Sequence, residues 1–444
     1  MKNINHSWPS SLTAALRGIC LVAVMLSTAS IAWAAEGLAT AKPESVGVSG
    51  ERLQRIDEYF QRFVDDDQIA GAVSIVARHG KVIHHSAVGL KYREENIPMT
   101  TDTIFSLMSM TKPIVSTALM MLFEEGYFRL DDPISDWIPE YADHMVLEND
   151  GPRPRRVKEA SPITIRQVLT HTSGLALVPS NAGLSDEELR WVTNNGRPFS
   201  SLGERVARAA TIPGAFHPGE QWQYGYSTDY VAVLVEKISG QSIDTFLRER
   251  IFEPLGMHDT FYNVPANKVD RVAARYMPGE DFKAELQRAP VYEDPTSYFP
   301  GVAGLSSTSS DYIRFAQMIA NGGELDGVRL LGRMTVDLMI SNHTADKDIY
   351  VRGPGYGFGL GFGVLLDPTK SFDTLSPGSY GWGGAFGTLY YADPVEDLVG
   401  LMFIQLRGHR PLNIRQRFTN VVSQSVVDSV ADRQPKVQGY SASP

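Results

Sequence analysis

The sequence predicts a mixed α/β domain whose sheet is built from both ends of the chain and interrupted by a helical insertion. Three observations carry that expectation. Two runs rich in β-branched residues, Ala72–Ala77 and Val82–Val88, flank Arg78-His79-Gly80-Lys81, a short connection that reads as a hairpin. From about residue 109 to about residue 300 the apolar spacing is mostly helical, with long Pro- and Gly-rich loops between. After about residue 355 the period returns to two. The expected limits are 35–108 and 301–444 for a discontinuous α/β domain, an antiparallel sheet flanked by helices. Residues 109–300 form the mainly helical part, with a site at the junction.

The first 34 residues differ from the rest. Lys2 and Arg17 are the only charges before Glu36, and the apolar run Ile19–Leu26 gives way to small residues and Ala32-Trp33-Ala34. This is the pattern of a secretory signal cut before Ala35, implying a periplasmic or secreted product; the competing reading is an uncleaved N-terminal anchor. Cleavage removes Cys20, the one cysteine, so neither disulfide nor thiol chemistry is expected in the mature chain. It also takes the formal charge from −10 to −12, because losing Lys2 and Arg17 leaves 39 basic against 51 acidic residues. So acidic a chain argues against a nucleic-acid partner. No internal apolar stretch approaches a membrane span, so no stable membrane association is expected after cleavage. The cluster Arg153-Pro154-Arg155-Arg156-Val157-Lys158 reads as a solvated loop.

In chain order, Ser49 caps a helix carrying Leu53, Ile56, Phe60, Phe63 and Val64 at helical spacing. A second helix starts near Ser109. Pro113 falls in its first turn, Ile114, Val115, Ala118, Leu119, Leu122 and Phe123 make its stripe, and Gly126 stops it. Further helices are expected over Ile165–His171, Thr228–Ile238, Ile243–Ile251, from a Ser310-Asp311 cap to Ala320, and over about 414–430. Tyr356, Phe358, Leu360, Phe362 and Val364 alternate with glycines, predicting one strand with a bare face open to close approach. Gly387–Ala392 and Leu398–Leu406 read as two more.

The chemistry centres on Ser109 and Lys112. At i and i+3 on a helix they share a face, which puts a hydroxyl beside an amine at the positive end of the helix dipole. That is the minimum kit for a lysine-activated nucleophile. For Lys112 to act as a base at neutral pH its pKa must fall by about 3 pH units, roughly 4 kcal/mol. A chain of this composition holds roughly one S-x-x-K by chance, so the pair needs support from elsewhere. Trp222-Gln223-Tyr224-Gly225-Tyr226-Ser227-Thr228 runs from loop into helix and offers a phenol as proton shuttle. Tyr226, next to the helix start, is favoured over Tyr224. Tyr380-Gly381-Trp382-Gly383-Gly384-Ala385 offers a strand edge on which a substrate could lie. The N–H of Ala385, with that of Ser109, could form an oxyanion hole, each donor worth roughly 3–4 kcal/mol.

These pieces, in this order, resemble the serine β-lactamase and penicillin-binding-protein superfamily, where S-x-x-K, Y-x-N and a K-T-G-type strand meet in one cleft. Asp131-Asp132-Pro133-Ile134, the run from Ile165 through Thr170-His171-Thr172-Ser173-Gly174-Leu175, and Gly304-Leu305-Ser306-Ser307-Thr308-Ser309-Ser310-Asp311 look like class C β-lactamase relatives. The resemblance implies a β-lactamase-like fold of an α/β and an all-α part. It implies Ser109 as nucleophile, Lys112 and Tyr226 as proton carriers, and a substrate site that includes Trp382, Gly383, Gly384 and Thr228. The departures bear on substrate. No K-T-G occurs; Trp382-Gly383-Gly384 stands in its place, as in the family VIII carboxylesterases, and an indole cannot hold a carboxylate as that lysine does. Thr228 replaces the asparagine of Y-x-N. The expectation is a hydrolase of small carboxylic esters acting through an acyl-enzyme, without metal or cofactor. The alternatives are a β-lactamase or D-amino-acid peptidase and, in another class, a slowly acylated binding or sensor protein. No G-x-S-x-G or H-E-x-x-H offers a rival chemistry.

Overall fold

In the computed structural model, residues 37–148, 154–175, 184–193 and 199–429 are described. The expected signal segment lies outside them. Ser49 caps a helical turn, Gly50–Leu53, that leads into α1 (Arg55–Asp65). The hairpin of β1 (Gly71–Arg78) and β2 (Lys81–Tyr92) turns at His79-Gly80, both at positive φ (52° and 71°), which matches a type I′ connection. A short β3 (Ile97–Pro98) follows, then α2 (Thr111–Glu124), which ends against Gly126 at φ 81°.

The insertion carries α3 (Ile165–Leu169), α4 (Leu202–Ala209), α5 (Ser227–Ser239) and α6 (Ile243–Leu247). The helix expected over Ile165–His171 stops short, because His171 lies at φ 59° and cannot continue it. Arg155–Lys158, expected as loop, forms a strand paired with Met145–Glu148; Arg155 lies opposite Glu148 with an ion pair of 3.0 Å, a favourable cross-strand pair.

Next come α7 (Ser309–Ala320), β4 (Tyr356–Phe358), β5 (Gly363–Leu365), β6 (Tyr380–Gly383), β7 (Leu389–Asp393), β8 (Leu398–Phe403) and α8 (Ile414–Ser423). The cap of α7 is Thr308 rather than Ser310-Asp311: its Oγ1 accepts from the Asp311 N–H at 3.1 Å. The helix expected to run to about residue 430 ends at Ser423. The glycine-alternating stretch is a hairpin, not one strand: Gly361, at φ 97°, reverses the chain between β4 and β5. A Cβ there would lie 2.4 Å from Ser116 Oγ of α2, so the bare turn is what lets the helix sit against it.

The sheet runs β4-β5-β6-β7-β8-β1-β2-β3, antiparallel throughout. Two adjacent inner strands, β8 and β1, come from opposite ends of the chain, with Val73 opposite Phe403. Consecutive tyrosines on β7 show how it is covered. Tyr390 meets Tyr312 of α7 (ring centroids 5.2 Å apart), while Tyr391 meets Phe418 of α8 (6.4 Å), so these helices pack on opposite faces. Every residue of β1 is buried accordingly.

Candidate active site

Ser109 sits in a 3₁₀ turn, Met108–Met110, that leads directly into α2. The turn is held from several sides. The Leu107 N–H donates to the Leu305 carbonyl (2.9 Å), Thr388 Oγ1 to the Leu107 carbonyl (3.2 Å), and the Tyr312 hydroxyl to the Met110 carbonyl (2.9 Å). Met108 has φ 50°, a costly conformation for a bulky residue, immediately before the nucleophile candidate.

One turn on, Lys112 is almost wholly buried. Its Nζ lies 3.2 Å from Ser109 Oγ, donates to the Val302 carbonyl at 2.8 Å, and stands 4.7 Å over the ring of Tyr224. The Val302 N–H donates to Asp229 Oδ1 (3.0 Å), and Asp229 Oδ2 accepts from Arg205 Nη1 (2.5 Å). Burial pushes the Asp229 carboxyl up, against the pull of Arg205. The carbonyl that steadies Lys112 is thus anchored by a buried ion pair between α4 and α5. Asp229 is in the first turn of α5 and also serves as this anchor.

The ring over which Lys112 Nζ stands is that of Tyr224. Tyr226 does precede α5, but its ring carries the Arg205 guanidinium, Cζ 4.6 Å from the centroid. Tyr224 lies in the non-helical approach, its ring beside Trp222 and 4.9 Å from His171. Its hydroxyl accepts from the Trp382 Nε1–H at 3.1 Å, so the phenolic proton remains available for another partner. Thr228 falls inside α5, 3 % exposed, with its carbonyl 2.2 Å from where a Gly301 Cβ would stand. Burial and the nearby Lys112 hold His171 well below the usual histidine range, hence neutral. The presence of His171 and Val302 at the lysine had no local signal beyond the His-Thr-Ser-Gly run.

On the opposite side stands β6. A Cβ on Gly384 would lie 2.2 Å from the Leu107 carbonyl oxygen, and one on Gly383 2.8 Å from Arg415 Cζ. Only a bare backbone can approach the Ser109 turn this closely. Among the described residues, neither the Ser109 N–H nor the Ala385 N–H donates to a protein acceptor. Trp382 completes an aromatic wall with Tyr224 (5.3 Å) and Phe358 (5.1 Å).

A family model described as Beta-lactamase matches residues 56–420, spanning the sheet, the insertion and the Ser109 turn. The chain belongs to the Beta-lactamase family. As a member it is a serine hydrolase, related to the serine β-lactamase and penicillin-binding-protein superfamily and to its esterases. Within the family the chain is similar to Esterase EstB of Burkholderia gladioli, 32% identical over 359 residues, covering 76% of this chain and 86% of that one. It is also similar to the Lovastatin esterase of Penicillium rubens, 29% identical over 382 residues, covering 79% and 92%. Two solved structures share the fold. EstCE1, described as a hydrolase with promiscuous acyltransferase activity, has TM-score 0.70 at 23% identity over 85% of this chain and 99% of that one. Simvastatin synthase LovD from Aspergillus terreus has TM-score 0.69 at 23% identity over 84% and 98%.

Proposed function

We propose that this serine hydrolase cleaves small carboxylic esters through an acyl-enzyme on Ser109. The carrying observation is Ser109 Oγ within hydrogen-bond reach of Lys112 Nζ, which itself rests over Tyr224. Lys112, with the Tyr224 hydroxyl, accepts the Ser109 proton as Oγ bonds to the ester carbonyl carbon. The oxyanion is received by the N–H groups of Ser109 and Ala385. Collapse breaks the bond to the alcohol oxygen, which takes a proton back from Tyr224. Water then repeats the cycle on the acyl-enzyme, releasing the acid and restoring Ser109.

The ester preference rests on Trp382. Its indole supplies an apolar face where a lysine would hold a substrate carboxylate, and the names of EstB and the Lovastatin esterase support the same direction. The residues read as a cleavable signal lead us to propose an exported, periplasmic or secreted enzyme.

The test is p-nitrophenyl butyrate hydrolysis by the wild type and Ser109→Ala, with mass spectrometry of the quenched enzyme. A butyryl adduct on wild type alone, with activity lost in Ser109→Ala, is expected. Unchanged hydrolysis by Ser109→Ala refutes the mechanism. Turnover of nitrocefin or a D-alanyl peptide far above that of the ester would give the substrate to the amide reading.

A further inference from the structure

Arg415, the second residue of α8, is half-buried, with its guanidinium lying against the bare face of Gly383. Among the described residues no carboxylate pairs with it. Its charge is met by two backbone carbonyls: Nη2 donates to the Gly384 carbonyl and, at 2.8 Å, to the Thr388 carbonyl. These flank the tight loop between β6 and β7, which the Gly384 N–H closes by donating to Thr388 at 2.8 Å. Burial, and then the neighbouring Arg352 and Arg410, push its pKa down to about 9, which still leaves a cation at neutral pH.

The Gly384 carbonyl is the other end of the peptide unit whose N–H is that of Ala385. In a trans peptide, C=O and N–H point in opposite directions. A cation fixed on the oxygen therefore sets the direction of the N–H. It also draws electron density from the amide and strengthens it as a donor. We infer that Arg415 is a positioning residue for hydrolysis, clamping the Gly384–Ala385 peptide so that the Ala385 N–H is aimed and polarised toward the developing oxyanion. This rests on the acyl-enzyme reading above and gives a reason for both glycines of Trp382-Gly383-Gly384. Gly383 leaves room for the guanidinium, and Gly384 lets its peptide reach the Ser109 turn. Drawing an arginine partly out of water without a carboxylate costs stability, and a donor that must be preorganised is a use that offsets the cost.

The test uses the full-length enzyme, with p-nitrophenyl butyrate as substrate and n-butylboronic acid, which forms a tetrahedral anion on a serine oxygen, as probe of the oxyanion site. Arg415→Gln removes the charge. It is expected to lower kcat about tenfold or more with KM within about twofold, and to weaken boronate inhibition by the same factor as kcat. Arg415→Lys, which restores a cation able to reach one carbonyl, is expected to recover part of both losses. A folded Arg415→Gln with wild-type kcat and boronate affinity overturns the inference. So does a fall in kcat with boronate affinity unchanged, the mark of a merely structural role. If Arg415→Gln does not fold, Arg415→Lys decides on the same readouts: a parallel loss in both supports the clamp, and a loss in one alone or in neither overturns it. Ser109→Ala separates the two layers. If it stays active the underlying mechanism fails, whereas an inactive Ser109→Ala beside an unaffected Arg415→Gln fails the clamp alone.

Discussion

Replacing Tyr224 by phenylalanine removes one oxygen and leaves the ring. The ring under Lys112 Nζ (4.7 Å) and the contacts with His171 and Trp382 survive, so the packing loss is small. What disappears is the acceptor for the Trp382 indole N–H at 3.1 Å, worth about 1 kcal/mol. In a chain of this size that shifts Tm by about 2 °C or less. The chemical loss is far larger. A positioned acid–base group contributes about 10²–10⁴ in rate, roughly 2.7–5.4 kcal/mol of barrier. Tyr224→Phe should therefore lower kcat for p-nitrophenyl butyrate by about 10²–10⁴ with little change in thermal stability. Tyr226→Phe is the internal comparison. Its ring lies on Arg205, and its kcat should stay within about threefold of wild type, a barrier change of roughly 0.7 kcal/mol. Steady-state kinetics with calorimetry on both variants decides it. A Tyr226→Phe enzyme that loses the hundredfold while Tyr224→Phe does not would show that the shuttle is the other tyrosine.

Gly384→Ala places a methyl 2.2 Å from the Leu107 carbonyl, so β6 must retreat from the Ser109 turn; ester kcat should fall about 10²-fold, and an unaffected rate would mean the strand edge does not serve the oxyanion. Asp229→Asn uncouples the buried Arg205 pair and weakens the hold on Val302. Chemical denaturation should show a loss of about 3–5 kcal/mol, with kcat lowered as Lys112 loses its seat; less than about 1 kcal/mol would contradict a paired, desolvated carboxylate. Burial raises the Asp311 pKa from its ordinary 3.8 to about 6 despite hydrogen bonds from the Asp259 N–H and Thr260. A raised carboxyl pKa favours folding while the group is protonated. Its contribution is thus full below pH 3.8 and lost as pH rises through about 6. Unfolding free energies of wild type relative to Asp311→Asn should fall by about 3 kcal/mol between pH 4 and pH 7, and a flat difference would remove this carboxyl as the cause.

Local chemistry made several elements legible in the sequence. Ser49 as a cap, the His79-Gly80 turn, Gly126 as a helix stop, and the β-branched runs of β1 and β2 depend on φ, ψ and side-chain preferences that a few residues set by themselves. The Ser109–Lys112 pair was readable for the same reason, since one helical turn fixes i to i+3. The glycine alternation after residue 355 misled, because a period of two fits a continuous strand and a hairpin equally well. The approach of α2 to Gly361, a contact over two hundred residues away in sequence, decided for the turn. The two tyrosines before α5 posed a similar choice. Tyr224 and Tyr226 are equivalent in composition and two residues apart. Only the arrival of Lys112 at one ring and Arg205 at the other separates them. Sequence alone thus determined the Ser109–Lys112 spacing and the family pattern, because those follow from short-range geometry and motif order. The tertiary structure decided which tyrosine ring and which carbonyl lie against Lys112 and which arginine lies on the Gly384 carbonyl, because their directions are set by packing between segments that never meet in the sequence.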